Sequence, residues 1–181
     1  MNKLILISGD LASGKSTLAK SLSKYLLIPC FTKDEIKEKY VDMYGFKSRE
    51  ENRALSVKAV QYMIEAFKRF AKEGKDIILE ANFREDELNQ IYDLSVVYNV
   101  EVIFYLLRGE IPVLFERFLA RLPNRHIAHQ SMHLDQDINS FSDYVLSIRN
   151  INYPFIPHII DTTYKDDMEV LNIVISYLNN N

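Results

Sequence analysis

The sequence has one cysteine, no excess of positive charge and no apolar run long enough to cross a membrane, and each shortage removes a class of function. A lone thiol, Cys30, cannot close an internal disulfide, and without a second cysteine there is no thiolate zinc site. A reducing, cytoplasmic setting is expected. The formal net charge of -3 gives no global positive field to draw the chain onto nucleic acid or a membrane surface, so any attraction for anions must be local. The apolar opening "MNKLILIS" ends at Ser8, short of both a signal-peptide core and a membrane span, and reads as a buried first strand. Low-complexity tracts, internal repeats and glycine-serine linkers are also absent, so residues 1–181 are expected to form one domain.

What is present is enough apolar residue, 48%, to build a full core. Short apolar runs at Lys3–Ser8, Asp76–Glu80, Val100–Leu107 and His158–Asp161, with a weaker one at Ile28–Thr32, predict five strands. Helical patterns lie between and after them, at Lys15–Tyr25, Ser48–Glu73, Glu85–Tyr98, Pro112–Leu122, Asp135–Asn150 and Asp166–Asn179. Ser48-x-x-Glu51 and Asp166-x-x-Glu169 are capping boxes, and Gly74 is a stop signal. Buried strands alternating with helices imply an α/β fold, a parallel sheet covered on both faces. Ligands of such folds collect at the carboxyl edge of the strands, so the segments just after each strand are where chemistry is expected.

The first of these is "GDLASGKST", Gly9 to Thr17. Gly9-Asp10-Leu11-Ala12-Ser13-Gly14-Lys15-Ser16 fits G-x-x-x-x-G-K-[ST] between a predicted strand and a predicted helix, the context this motif requires. Successive backbone N–H groups can turn inward around phosphate oxygens, the two glycines admit backbone angles a side chain would obstruct, and the helix N-terminus adds positive potential. Lys15 is expected on the β- and γ-phosphates of a nucleotide and the Ser16 hydroxyl on Mg2+. Ala12 is tolerable there if its φ stays negative.

After the weak second strand comes "FTKDEIKEKY". Thr32 and Glu35 can form a capping box, with Asp34 in the first turn and Lys37 three residues on, pointing the same way; Ile36, Tyr40 and Met43 are expected to face the core. Asp34 could accept a proton from an attacking hydroxyl and Lys37 hold an anionic group, although acids are common in any first turn. After the fourth strand, Arg117 and Arg121 lie four apart on a helix with no carboxylate in local reach, and Arg125 follows the break at Pro123. Solvated charged faces alternate in sign; an arginine row reads as a phosphate clamp unless tertiary acids satisfy it.

The set "GDLASGKST", "TKDEIKEKY", "IILEANFR" and "ERFLARLPNRHIAH" resembles the P-loop kinases of the AAA_33 type, similar to chloramphenicol phosphotransferases, zeta toxins and the 5'-kinase domain of polynucleotide kinase. The resemblance implies a three-layer P-loop NTPase fold with a five-stranded parallel sheet of order 2-3-1-4-5. It also implies ATP with magnesium as donor, Asp34 as general base, and a helical lid at about 109–133 carrying transition-state arginines. Lys37 stands where polynucleotide kinases carry arginine, and lysine lacks the planar two-point grip on phosphate, which weakens the case for a nucleic acid substrate bearing a 3'-phosphate.

Other residues carry weaker signals. Glu80, Asn82 and Arg84, at and after the third strand, are candidates for holding substrate or the magnesium shell, the alternative for Glu80 being a strand-end acid that closes a turn. Asp161 begins a loop that similar kinases place at the adenine edge. His126, His129 and His133 invite a zinc reading, but without nearby cysteine a lid contact is preferred. Cys30 reads as a small core residue. Arg49, Arg53 and Tyr44 border the region where such kinases recognise the acceptor, and a surface helix with its own salt bridges is the simpler reading. The expected activity is transfer of the γ-phosphoryl group of ATP to a hydroxyl of a small molecule. The alternatives are a polynucleotide 5'-hydroxyl kinase, a sugar-nucleotide kinase acting as a toxin, and a non-catalytic ATP-dependent binding module.

Overall fold

Alternation along the first strand explains how the sheet becomes the centre of the molecule. In β1 (Lys3–Gly9), Leu4 and Leu6 pack into one apolar layer while Ile5 and Ile7 enter the layer on the opposite face. A computed structural model describes residues 1–129, 134 and 137–179. In it β1 pairs in parallel with β3 (Ile77–Glu80) and β4 (Glu101–Arg108), and β2 (Cys30–Thr32) and β5 (His158–Asp161) form the edges. The order is β2-β3-β1-β4-β5, as the family resemblance implies.

The connecting helices are α1 (Lys15–Leu26), α2 (Lys33–Tyr44), α3 (Arg49–Lys72), α4 (Glu85–Tyr98), α5 (Ile111–Arg121), α6 (Ile138–Arg149) and α7 (Asp167–Asn179). Val60, Met63 and Phe67 of α3 and Leu88 and Ile91 of α4 cover one face of the sheet. Leu18 and Leu22 of α1 and Val170 and Val174 of α7 cover the other. A third, smaller cluster joins Ala12 to Leu114 and Phe118 of α5 and Phe141 and Val145 of α6, and so holds these two helices over the β1–α1 loop.

Local signals were realised to different degrees. Ser48 accepts from the Glu51 backbone N–H, and Asp166 and Glu169 cap each other reciprocally at 2.8 Å. Thr32 does not cap its helix through the backbone; its hydroxyl donates to the Glu35 carboxylate at 3.0 Å. The core-facing side of α2 also differs from expectation. Lys37 and Val41 are its buried residues, Ile36 and Tyr40 are half-buried and Met43 is 68% exposed, and it is α3 that packs beside this helix. α6 begins at Ile138, with Asp137 accepting from Ser140; the proposed start at Asp135, like His133, lies outside the described residues.

Candidate active site

The loop joining β1 to α1 owes its shape to two glycines. Gly9 has φ +131°, and a Cβ there would lie 2.0 Å from the Leu107 carbonyl oxygen of the neighbouring strand. Gly14 has φ +88° immediately before α1. Ala12 corrects the expectation of a negative φ, since it has φ +61° and its methyl is buried against α5 and α6. Packing of that methyl compensates a backbone region that costs a non-glycine residue about 1–2 kcal/mol.

Inside the loop the buried Lys15 ammonium donates to the Asp10 carbonyl at 2.5 Å, and the Ser16 hydroxyl donates to Glu80 Oε2 at 3.0 Å. Burial lowers the Lys15 pKa against the opposing pull of Glu80, Asp34 and Asp10. Burial pushes the Glu80 carboxyl up to about 7, with Lys15 and the Ser16 bond opposing and Asp34 reinforcing the rise. Asp10 itself turns away from the cleft. Its carboxylate accepts from Gly109 N at 3.0 Å and from Arg149 Nε and Nη2 at 3.0 and 2.6 Å, which ties the loop to β4 and α6.

A cavity of about 1200 Å3 opens over the carboxyl edge of the sheet. It gathers most of the residues singled out from sequence: Leu11 to Thr17 on its floor, Asp34 and Lys37 from α2, Glu80, Asn82 and Arg84 after β3, and Arg121 and Arg125 from above. Asn82 lines the cavity, and its Oδ1 is buried and reaches no donor among the described residues. Arg84 is held by Glu87 through Nε and Nη2 at 3.1 and 3.0 Å. Arg125 stacks on Phe118, 4.9 Å from the ring centre.

Four assignments land elsewhere. Gly9 and Asp10 do not line the cavity. Arg117 donates through Nη2 to the carbonyls of Thr162 and Thr163 at 3.0 and 2.9 Å, so tertiary carbonyls satisfy the arginine that no local carboxylate could reach. Asp161 accepts from the Thr163 backbone and hydroxyl. Arg117 instead borders a smaller cavity of about 220 Å3 that adjoins the loop at Ala12, Ser13 and Gly14 and is shared with Arg121.

Lys37 reaches a different partner from the anion expected for it. Its ammonium, buried, donates to the Ala128 carbonyl at 2.7 Å, and Asn52 of α3 donates to the same oxygen at 3.1 Å. Burial holds the Lys37 amine down to about 8, and Lys33 and Arg125 add to the effect while Asp34 opposes it. Around this anchor His126 meets Asp42 at 3.1 Å and His129 meets Glu38 at 2.9 Å, with its other nitrogen 4.0 Å from Asp34. The two histidines therefore dock the segment after α5 onto α2, and among the described residues no cluster of three or more His, Cys, Asp or Glu could hold a metal.

Sequence reasoning missed Asn52 and Arg149, and also Lys33 and Tyr144, which line the large cavity. Asn52 did leave a signal, a polar residue on the face that Ala59, Met63 and Phe67 continue. Arg149 left none, because its partner Asp10 is 139 residues away.

No protein-family model and no curated protein matches the sequence, but many solved structures share its fold. A candidate kinase from Chloroflexus aurantiacus is 25% identical with a TM-score of 0.78 and 97% coverage of each chain. Shikimate kinase from Aquifex aeolicus is 20% identical with a TM-score of 0.62, covering 98% of this chain and 96% of that one. APS kinase from Mycobacterium tuberculosis, in complex with AMPPNP and APS, is 14% identical with a TM-score of 0.63, and 98% of each chain is covered. The chain has the P-loop kinase fold. The phosphate-cradle motif thus occupies the β1–α1 position that the fold requires of it.

Proposed function

We propose that the protein is a kinase that moves the γ-phosphoryl group of ATP to a hydroxyl of a small molecule. The observation that carries this reading is one cavity lined by both Leu11–Thr17 of the β1–α1 loop and Asp34, with Lys15 close enough to both Asp34 and Arg121 for their charges to act on it. Small-molecule kinases among the structural relatives support the same reading. The loop fits a nucleotide and its metal: the backbone is held open at Gly9 and Gly14, and Ser16 and Glu80 present adjoining oxygens. Ser16 and Glu80 would hold magnesium, directly or through water, and that ion would supply neutralisation of phosphate charge.

The chain's own groups do the rest. Lys15 exchanges the Asp10 carbonyl for phosphate oxygens, and the loop N–H groups hold the remaining charge. Asn82 and Asp34 orient the acceptor hydroxyl, whose proton passes to the Asp34 carboxylate as its oxygen bonds to the γ-phosphorus. The bond from that phosphorus to the β–γ bridging oxygen breaks, and ADP leaves. Arg121 and Arg125 stabilise charge spread over the transferring group. The second cavity, beside Ala12 and Arg117, takes the nucleoside end.

Asp34→Asn is expected to keep nucleotide affinity by calorimetry and to lose about 10²- to 10⁴-fold in transfer, measured with labelled ATP. Transfer at the wild-type rate in that variant would remove Asp34 from the mechanism. Loss of magnesium-dependent nucleotide binding in Lys15→Ala tests the cradle separately.

A further inference from the structure

The acceptor wall carries charge that the fold does not use. Arg49 and Arg53 stand four apart on the first turns of α3 and line the large cavity. Among the described residues neither makes an ion pair or hydrogen bond, although an i, i+4 pair of like charges weakens a helix. Glu50 lines the cavity beside them and is paired with neither. Three other cations of the cavity are committed, Lys37 to the Ala128 carbonyl, Arg84 to Glu87 and Lys15 to the loop, and Arg125 stacks on Phe118; Lys33 and Arg121 also line it. The residue that the sequence offered as the anion holder, Lys37, is thus spent on docking the segment above the cleft. On α3, Arg49 and Arg53 thus line the cavity without a partner among the described residues.

We infer that the acceptor alcohol carries an anionic oxygen group, a carboxylate or a phosphate, gripped by Arg49 and Arg53 while its hydroxyl lies at Asp34. This rests on the kinase reading above. A guanidinium matches either group with two parallel N–H donors, and charge-assisted bonds of this kind are the strong ones. The buried oxygen of Asn82, which lines the same cavity, adds an acceptor suited to a hydroxyl. The acceptor is therefore a small polar molecule, hydroxylated at one end and anionic at the other. Specificity follows from the arginines, since a neutral alcohol leaves their charge unanswered.

The test compares glycerol, glycerate and glycerol 3-phosphate as acceptors with labelled ATP, in the wild type and in an Arg49→Gln/Arg53→Gln variant. A charged acceptor is expected to exceed glycerol by about tenfold or more in kcat/KM, with the preference lost in the variant and ATP affinity unchanged. Which charged acceptor leads separates carboxylate from phosphate. Inorganic phosphate and acetate titrated calorimetrically into protein saturated with magnesium and AMPPNP give a readout that needs no turnover. Binding of either in the wild type and its loss in the variant support the inference. Absence of binding for both, or binding that survives the substitutions, overturns it. So does a 5'-hydroxyl oligonucleotide that outpaces glycerol 3-phosphate and depends on the same arginines, which would assign them to a polynucleotide. Failure of AMPPNP to bind at all would instead count against the kinase reading.

Discussion

At Gly9 a single methyl group decides whether the central strands can meet. A Cβ would lie 2.0 Å from the Leu107 oxygen and 2.6 Å from its nitrogen, both backbone atoms that cannot swing aside, and φ is +131°. Gly9→Ala is therefore expected to cost more than about 3 kcal/mol, read as a lowered urea midpoint or as failure to fold. A change below about 1 kcal/mol would show that β1 and β4 separate there at little cost. Gly9 was legible as part of a phosphate-binding pattern, but its role against Leu107 was not, because 98 residues separate the two strands' contact points in the chain. Residue identity pointed to Asp34, Glu80 and Asn82 as occupants of one site, and they share one cavity. For Lys37 and Arg117 identity was not enough. Each found a backbone carbonyl far away in sequence, at Ala128 and at Thr162 and Thr163.

The elements that shape the cleft are α2, α3 and the segment following α5, joined at the Ala128 carbonyl. Lys37 makes that joint sensitive to pH. Its buried amine titrates at about 8, against 10.5 for an ordinary lysine. Between these values the unfolded chain binds a proton that the folded chain has released, so stability contributed at this site rises with pH across about 8 to 10.5; below 8 the cost of burying the charge is present in full. Urea unfolding at a series of pH values is expected to show an increment of the order of 1–3 kcal/mol over that window, absent in Lys37→Met. An identical slope in the variant would show that the amine is solvated in the folded protein. Asn52 continues to donate to Ala128 in that variant, so the segment keeps one anchor. Helix boundaries near capping boxes were readable from sequence, as at Ser48 and Asp166. The buried side of α2 was not, since neighbouring helices rather than its own periodicity chose Lys37 and Val41.

Across the whole molecule the sheet grades from a buried centre to two short edges. β1 carries Leu4, Ile5, Leu6 and Ile7 at 2% exposure or less and pairs on both sides, whereas β5 pairs only with β4 and leaves Ile159 53% exposed. Native-state hydrogen exchange is therefore expected to be slowest at the amides of β1 and the middle of β4, and faster in β2 and β5. Equal protection at the centre and the edges would contradict this grading. The sequence by itself determined the α/β class, the parallel sheet and the place of the phosphate cradle, because apolar periodicity and glycine-dependent loop geometry are local properties; the strand order was implied only by the family resemblance. The tertiary structure alone decided how charge is spent. It paired Asp10 with Arg149, set Lys37 and Asn52 on Ala128, and left Arg49 and Arg53 in the cleft with no partner among the described residues. The physical reason is that a buried charge must be answered by whatever the fold brings within about 3 Å, and that distance is set by packing rather than by position along the chain.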